Sequence, residues 1–270
     1  MKKYLHLLGY EMRTIVRDPL NIFLLGYPLF MFALVGWLLP TALLRGGVNQ
    51  TGPAYALTML ITFVIVISIG GFVGGSLLGF SLLENKDEKT IDSIAVAPIS
   101  LLGYVGFKAI YSYVFSVIGN LVLILGIKLF ATDAYSFTYG TLTFGFDNIG
   151  YGQIIIFSLV SSLLVPTIGT LIASIAKNKI EGFAFMKGGG LIFMLPALLL
   201  LEAFQDWKQY LLGIVPNLWP VKALLNTALN TQGQYDLPYW GYMLIATIYM
   251  LGLTAYSLIT FAKKNQRLGG

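Results

Sequence analysis

Long apolar stretches alternate with short polar segments along the chain. A helix needs about 20 mostly apolar residues to cross the roughly 30 Å hydrocarbon core of a membrane, and its backbone groups must hydrogen-bond internally there. Six stretches meet this requirement, and we predict that each forms a membrane-spanning helix. They run over residues 20–44, 54–83, 101–130, 150–176, 183–201 and 239–262.

The segment before the first stretch is amphipathic. Its apolar residues recur at helical spacing, whereas its basic residues occupy the other faces. It lacks the continuous apolar run and small-residue cleavage site of a secretory signal. We therefore predict that residues 1–19 form an interfacial helix, with Arg13, Arg17 and Asp18 near its end. A frayed terminus is the simpler alternative.

Composition supports a membrane protein. Hydrophobic residues make up 57% of the 270 residues, and the mean hydropathy is +0.78, both beyond the usual range of soluble domains. No polar stretch is long enough to form a separate core, so we predict one all-α, polytopic transmembrane domain over residues 1–270. The absence of cysteine excludes disulfide frameworks and thiolate metal sites.

The net charge of +5 is best interpreted through its distribution. Six spans place both termini on one side, and thirteen of the seventeen Lys and Arg residues then fall on that side. The positive-inside rule therefore predicts that both termini are cytoplasmic, together with the polar segment between the second and third spans. The basic balance marks orientation in a membrane, and we predict no nucleic-acid partner.

Residues 84–92 are densely charged, although only 11% of the chain is charged. Because this segment lies between two hydrophobic spans, it must sit in water at a membrane face. We predict that the protein contacts a soluble partner here. A merely solvated run of charge is the alternative.

The spans contain few groups that could power transport from within. A carrier driven by a proton or sodium gradient needs ionisable side chains or broken-helix ion sites near the membrane centre. Lys108 and Lys187 fall near cytoplasmic ends, where they can snorkel to the surface, and Glu202 falls near the outer end of the fifth span. An ion-driven carrier or a channel therefore remains only an alternative function.

An intramembrane hydrolase is a further alternative. The sequence has no H-E-x-x-H motif, and its only histidine, His6, lies in the N-terminal segment. Ser76 beside Gly75 resembles a nucleophile turn, but no base accompanies it in the membrane. We predict neither catalytic residues nor a metal site in this chain.

Small residues predict where helices approach closely. Three glycines repeat every four residues in the second span, a spacing typical of close helix contacts in lipid: Gly71, Gly75 and Gly79. The contact is either between subunits or at a gate, or it is ordinary packing within one subunit. Pro28, Pro166 and Pro196 are expected to kink or break their helices.

Three motifs occur in a characteristic order. Arg17-Asp18-Pro19 precedes the first span, and the acidic segment continues into Lys89-Thr90 and then Pro98-Ile99-Ser100. A proline-rich stretch, Val215-Pro216-Asn217-Leu218-Trp219-Pro220, precedes the last span. With these motifs in this order, the chain resembles the membrane subunits of ABC-2 type exporters over essentially its whole length, and among these we favour the drug or peptide export branch.

The resemblance implies that the energy for transport comes from other subunits. Two such permeases, identical or related, would pair and bind two cytoplasmic ABC ATPase subunits that hold ATP and Mg. The chain itself would bind no cofactor, and no G-x-x-x-x-G-K-[ST] loop occurs in it. It would lie among lipids in the plasma (inner) membrane of a bacterium.

By the same resemblance, residues 84–100 would be the loop that couples the permease to the ATPase. A helix from Thr90 to Ala97 would present its apolar side to the ATPase, and acids of the loop would orient it by charge pairs. The residues assigned to coupling are Glu84, Asp87, Glu88, Lys89, Thr90, Ile91, Ile94 and Pro98.

Residues 203–238 are too apolar for a free loop and too interrupted for a full crossing. By resemblance they would form a re-entrant outer hairpin, and the exit-gate candidates are Glu202, Trp207, Pro216 and Trp219. A second outer group is expected to form an interfacial belt or a cover: Tyr135, Phe137, Tyr139, Phe144, Phe146 and Tyr151. The substrate would be hydrophobic or amphiphilic, such as a drug, a peptide or a lipid-like molecule.

Overall fold

The computed structural model of the chain describes residues 19–88, 101–139 and 142–266. The predicted interfacial helix (1–19, apart from Pro19) and the predicted coupling helix (Thr90 to Ala97) lie outside the described residues. The α-helices are α1 (Pro19–Ala33), α2 (Leu39–Arg45), α3 (Pro53–Asp87), α4 (Leu101–Phe130), α5 (Tyr151–Ser161), α6 (Leu164–Ile175), α7 (Lys179–Ile192), α8 (Leu218–Ala228) and α9 (Tyr239–Gln266).

Shorter elements join these helices. A π-helical turn, Leu34–Leu38, links α1 to α2. Strands β1 (Phe137–Tyr139) and β2 (Leu142–Phe144) form an antiparallel hairpin in which Phe137 pairs with Phe144. The 3₁₀ segments are Asp133–Tyr135, Phe146–Asn148, Leu195–Leu200, Glu202–Phe204 and Trp207–Ile214.

Six helical segments in the described ranges are long and apolar enough to cross a membrane. They are Gly26–Arg45, Pro53–Asp87, Leu101–Phe130, Tyr151–Ile175, Lys179–Leu200 and Tyr239–Lys264. The predicted all-α polytopic fold with six spans is therefore confirmed. The second span continues as helix to Asp87, so Glu84 and Asp87 stand on its last turn rather than in a loop.

Two of the prolines interrupt their helices as expected. The fourth span is broken between α5 and α6, just before Pro166, which has no N–H to donate to the preceding turn. In the fifth span, helix α7 gives way to a 3₁₀ segment that contains Pro196. Pro28 does not break its helix, because α1 continues through it as far as Ala33.

Helix α3 lies at the centre of the bundle, where it packs against α4, α6 and α7. The glycine row forms its contact with α6. A Cβ added to Gly75 would lie 2.6 Å from the Cβ of Ile168, and one added to Gly71 would lie 3.0 Å from the Cβ of Leu164. Gly79 meets Ile172 in the same way, one turn further on. Of the alternatives left open by the spacing, the structure shows packing within one subunit.

The β-hairpin and its flanking turns cap one end of the bundle. Phe137 and Phe144 stack with their ring centroids 5.0 Å apart, and Phe63 of α3 meets the rings of Phe144 and Phe146 edge-on, at 5.3 Å each. The Tyr135 hydroxyl donates to the carbonyl of Val35, in the π-helical turn, at 3.0 Å. These aromatic residues are buried as a cover, whereas Tyr151 is exposed and the side chain of Tyr139 lies outside the described set.

Candidate functional site

The ends of four spans meet at one end of the bundle, which we call the acidic face: the last turn of α3 (84–88), the turn 176–181 between α6 and α7, and Lys264 of α9. Glu84 accepts a hydrogen bond from Lys179 Nζ at 2.7 Å, and Asp87 accepts one from the Lys179 backbone N–H at 2.9 Å. Asp87 thus places a negative charge at the N-terminus of α7, where the helix dipole favours it. The end of the second span is thereby joined to the start of the fifth.

Capping hydrogen bonds hold the turn 176–181, which contacts Glu84 and Asp87. Asn178 is the N-cap of α7, and its side chain accepts from the backbone N–H of Glu181 at 2.9 Å. The Glu181 carboxylate reaches back to the N–H of Lys177 at 2.8 Å. These bonds satisfy backbone donors that the first turn of a helix leaves without partners. They orient Lys179 toward the end of α3.

Two lysines cap the C-terminal end of α6 on the same face. Lys264, at the end of α9, donates to the carbonyl of Ser174 at 2.7 Å. Lys86, on the last turn of α3, donates to the carbonyl of Ala176 at 3.4 Å. Cations are stabilised at helix C-termini, where carbonyl groups lack helical partners. The acidic face therefore ties α3, α6, α7 and α9 together.

Lys108 is buried rather than exposed at the membrane surface. Its place near the cytoplasmic end of the third span predicted a snorkelling side chain, but this lysine is only 2% exposed. Its Nζ donates to the Ser81 hydroxyl at 2.9 Å and lies 5.1 Å from the centre of the Tyr104 ring. Tyr104 in turn accepts from Asn85 at 2.8 Å. Lys108 is held between α3 and α4 because their close packing encloses it.

The other residues predicted for coupling do not take part in the contacts described above. Glu88 is the exposed residue that follows α3, and its N–H bonds back to the Glu84 carbonyl at 2.9 Å. The remaining coupling and interfacial-helix residues lie outside the described residues: Arg13, Arg17, Asp18, Lys89, Thr90, Ile91, Ile94 and Pro98. In the chain, α3 precedes residues 89–100 and α4 follows them.

The opposite end of the bundle, which we call the aromatic face, carries the predicted exit-gate residues. Pro216 is buried, and Trp219 is half-buried with its Nε1 donating to the Gly213 carbonyl at 3.1 Å. Glu202 and Trp207 are exposed. Residues 203–238 form two 3₁₀ segments followed by α8, and α8 packs against α3, α5 and α9. Two of the four candidates are thus built into the bundle and two lie on its surface.

Asn217 fixes the bend before α8. Its side-chain nitrogen donates to the carbonyl of Ser68 in α3 at 3.0 Å and to the carbonyl of Phe193, just after α7, at 2.9 Å. Asn217 is 2% exposed, so both bonds are sheltered from water. In the sequence, this residue stands out only as part of the proline-rich motif 215–220.

A buried ion pair on the aromatic face was not anticipated from the sequence. Lys222 of α8 lies 3.2 Å from Asp236, and their side chains are 9% and 8% exposed. Asp236 also accepts from the Tyr242 hydroxyl at 3.1 Å and from the Gly233 N–H at 2.8 Å. The only sequence signal for this pair is that the largely apolar segment 203–238 contains just two acids and two bases: Asp206, Asp236, Lys208 and Lys222.

Two cavities open on the aromatic face. One, of about 460 Å³, lies beside the π-helical turn and includes Trp37, Tyr55 and Phe130. The other, of about 380 Å³, is bordered by amide side chains such as Asn148, Gln153 and Asn226. Among the described residues, no group of three or more His, Cys, Asp or Glu could hold a metal ion.

Comparison with known proteins identifies the family of this chain. The family model described as "Fluoroquinolones export permease protein Rv2686c-like" matches residues 11–258. The chain belongs to this family. The match confirms the resemblance to ABC-2 type permease subunits and, with the six apolar helices, identifies a multi-pass membrane permease.

Two curated relatives in this permease family come from Mycobacterium tuberculosis. They are the fluoroquinolones export permease proteins MT2760, from strain CDC 1551 / Oshkosh, and Rv2686c, from strain ATCC 25618 / H37Rv. Each is similar to this chain at 27% identity over 248 residues, which cover 90% of this chain and 87% of the relative. No solved structure matches.

The family match includes most of both faces of this permease. It contains the last turn of α3, residues 89–100 and the whole 203–238 segment, whereas Lys264 lies just beyond it. The contacts of Glu84 and Asp87 with Lys179 therefore lie within the region shared with the family.

Proposed function

We propose that the chain is the membrane subunit of an ATP-driven exporter that moves drug-like, hydrophobic or amphiphilic molecules out of a bacterial cell. Two permease subunits pair and bind two cytoplasmic ABC ATPase subunits, which hold ATP and Mg. The acidic face and both termini are cytoplasmic, and the aromatic face lies outside the inner membrane. Family membership and the export of fluoroquinolones named for the relatives support this proposal.

One structural observation carries the proposed coupling. The last turn of α3, which immediately precedes residues 89–100, accepts two hydrogen bonds from Lys179 at the start of α7. A force applied by an ATPase to residues 89–100 therefore acts on α3 directly. Through Lys179 it also acts on the fifth span, so two spans move together.

Co-purification and reconstitution test this function. We expect an affinity-tagged chain, extracted from its native membrane in mild detergent, to bring down an ABC ATPase subunit in a one-to-one ratio. In vesicles, the complex should move a fluoroquinolone only when ATP and Mg are supplied to the side that carries the ATPase. A variant ATPase unable to hydrolyse ATP is the matched control.

Two results would contradict the proposal. The first is a purified chain that transports the drug without any partner when only a proton or sodium gradient is imposed, which would make it an ion-driven carrier. The second is drug movement in either direction without ATP or a gradient, as expected of a channel. Loss of transport in the hydrolysis-deficient complex, with assembly intact, supports ATP-driven export.

A further inference from the structure

The smaller of the two cavities on the aromatic face is bordered by uncharged polar groups. It lies where the end of α8, the start of α5 and the start of α9 meet, and its volume is about 380 Å³. Its border carries five side-chain amides and four hydroxyl groups, and none of its described lining residues is charged. The remaining lining residues are Ala223, Leu237 and Pro238. This volume falls near the lower end of the range for small-molecule sites, about 300–1,000 Å³.

Backbone groups hold two of these amides so that one end of each is left for a ligand. Asn148 donates from its Nδ2 to the Ala228 carbonyl at 3.0 Å, which leaves its Oδ1 as an acceptor. Gln153 accepts the Gly150 N–H on its Oε1 at 2.8 Å, which leaves its Nε2 as a donor. Neither remaining atom has a hydrogen-bond partner among the described residues. The cavity therefore presents an oriented acceptor and an oriented donor.

The end of α8 and the residues that follow it add further amides to the border of the cavity. Asn226 has a buried Nδ2 with no partner in the part of the chain that the structure describes. Such a donor is costly unless a ligand or water accepts from it. Asn230 has a φ of +49°, the left-handed conformation that glycine and asparagine adopt at helix ends. Asn230 and Gln232 are both exposed at the border of the cavity.

Two tyrosines of α9 are fixed at the cavity by their hydroxyl groups. Tyr239 donates to the Gln153 carbonyl at 2.6 Å, and Tyr242 donates to Asp236 at 3.1 Å. Each hydroxyl has used its hydrogen, so it can only accept from a ligand. Asp236 is itself paired with Lys222, so the ion pair beside the cavity contributes no net charge to it.

The chemistry of this lining favours an uncharged ligand with many hydroxyl groups. A charged ligand would exchange water for a cavity that offers no counter-charge. A drug-like molecule needs walls that are mainly apolar and aromatic. Each hydroxyl of a sugar both donates and accepts, and neighbouring hydroxyls can bond the oxygen and the nitrogen of one amide together. A sugar ring therefore pairs with the donors and acceptors that these amides leave open.

We propose that this cavity binds a hexose, either as a free sugar or as the headgroup of a glycolipid. Asn148 and Gln153 supply the oriented acceptor and donor, and the exposed amides of Asn230 and Gln232 contact the sugar at the border. The inference goes beyond the proposed function, because the hexose is a ligand held at the aromatic face and not the exported molecule.

Binding to the purified chain tests the site. The chain is extracted in a detergent without a sugar headgroup, since a sugar detergent would compete, and is placed in phosphatidylcholine nanodiscs. The Kd is measured for glucose, galactose and mannose and for glucosyldiacylglycerol and galactosyldiacylglycerol, with diacylglycerol as the lipid without a sugar. We expect a hexose to bind, in free or lipid-linked form, and Gln232→Ala to raise its Kd about tenfold.

Gln234→Ala is the matched control for Gln232→Ala. Gln234 is an exposed amide two residues further along the same loop, and it does not border the cavity. Its loss should change the Kd less than about twofold. Asn230→Gly separates ligand contact from folding, because glycine keeps the left-handed backbone but removes the amide. This variant should raise the Kd about fivefold without lowering the melting temperature.

The two sources of the hexose give different results. Equal Kd values for a free hexose and its glycolipid would assign the site to the sugar alone. Tighter binding of the glycolipid, still weakened by Gln232→Ala, would assign the site to a lipid headgroup.

Several outcomes would overturn the inference. These are no binding of any hexose at about 10 mM, diacylglycerol binding as tightly as the glycolipids, and tighter binding of glucose 6-phosphate than of glucose, which would indicate an anion site. An unchanged Kd in Gln232→Ala, or an equal rise in Gln234→Ala, would exclude this cavity as the place of binding. None of these measurements uses the ATPase or a transported drug, so their failure is distinct from a failure of the proposed export function.

Discussion

Lys222 and Asp236 hold opposite charges within a part of the molecule that water barely reaches. Burial raises the pKa of Asp236, but the Gly233 N–H, Lys222 and the Tyr242 hydroxyl lower it, and the net pKa lies below its ordinary value. The folded state therefore favours the ionised carboxylate. The pair holds α8 against the loop that leads into the sixth span.

Removal of this charge should destabilise the fold. Asp236→Asn leaves the Lys222 ammonium buried without its counter-ion, which costs about 3–5 kcal/mol. Asp206→Asn is the matched control, because Asp206 pairs with Lys208 on the surface and such an exposed pair contributes little to stability. Thermal unfolding of the purified protein in detergent measures both. Equal melting temperatures for the two variants would contradict a stabilising role for the buried pair.

The same pair predicts a pH dependence. Because the pKa of Asp236 is lower in the folded than in the unfolded state, its contribution is complete above the unfolded value and is lost as pH falls through the folded value. The wild-type melting temperature should therefore fall more than that of Asp236→Asn when the pH is lowered below about 4. Parallel pH profiles would show that the carboxylate does not act through its ionisation.

At the scale of elements, the α3–α6 contact depends on the absence of side chains at the glycine row. A Cβ at Gly75 would lie 2.6 Å from the Cβ of Ile168 and 3.0 Å from the carbonyl oxygen of Val165, which is backbone and cannot rotate away. Gly75→Ala should therefore separate the helices and cost about 1–3 kcal/mol.

Gly70 provides the control in the same helix. A Cβ at Gly70 meets nothing within 4 Å, so Gly70→Ala should leave stability unchanged or raise it by up to about 1 kcal/mol. Melting temperatures of the two alanine variants test this difference. If Gly70→Ala destabilises the protein as much as Gly75→Ala, close helix packing is not the cause.

The Lys179 contact is where α3 and α7 are expected to act as one mechanical unit. Glu84 and Lys179 are about half exposed, so reversing one charge should cost no more than about 1 kcal/mol of stability. Lys179→Glu should nevertheless leave ATPase activity in the assembled complex while reducing transport per ATP several-fold. The double variant Glu84→Lys, Lys179→Glu should recover part of the lost transport.

Lys177→Glu is the appropriate control for charge alone. Lys177 lies two residues away in the same turn and contacts Glu181 through its backbone N–H rather than through its side chain. Transport and ATPase rates of the three variants, measured in the same vesicles, separate coupling from surface charge. Normal transport per ATP in Lys179→Glu would remove this contact from the mechanism.

At the scale of the whole molecule, the spans follow from the sequence because each must satisfy its backbone locally and be apolar over a set length. The ion pairs do not follow in this way. Glu84 meets Lys179 and Lys222 meets Asp236 only after the spans have packed. The snorkelling predicted for Lys108 was wrong for the same reason, since its partner Ser81 belongs to another helix. The phenylalanines of the hairpin were expected as a belt or a cover, and only packing distinguishes the two.

The π-helical turn at Leu34–Leu38 gives the first span a fixed rotational phase. A π turn accommodates an extra residue relative to an α-helix, and one residue corresponds to about 100° of rotation around a helix. Val35, within this turn, offers its carbonyl to Tyr135 of the cap. Deletion of one residue here would turn the bulge into a regular α-helical turn and shorten the span by about 1.5 Å. The length of this helix is thus set by the cap it must meet, as well as by the thickness of the lipid it crosses.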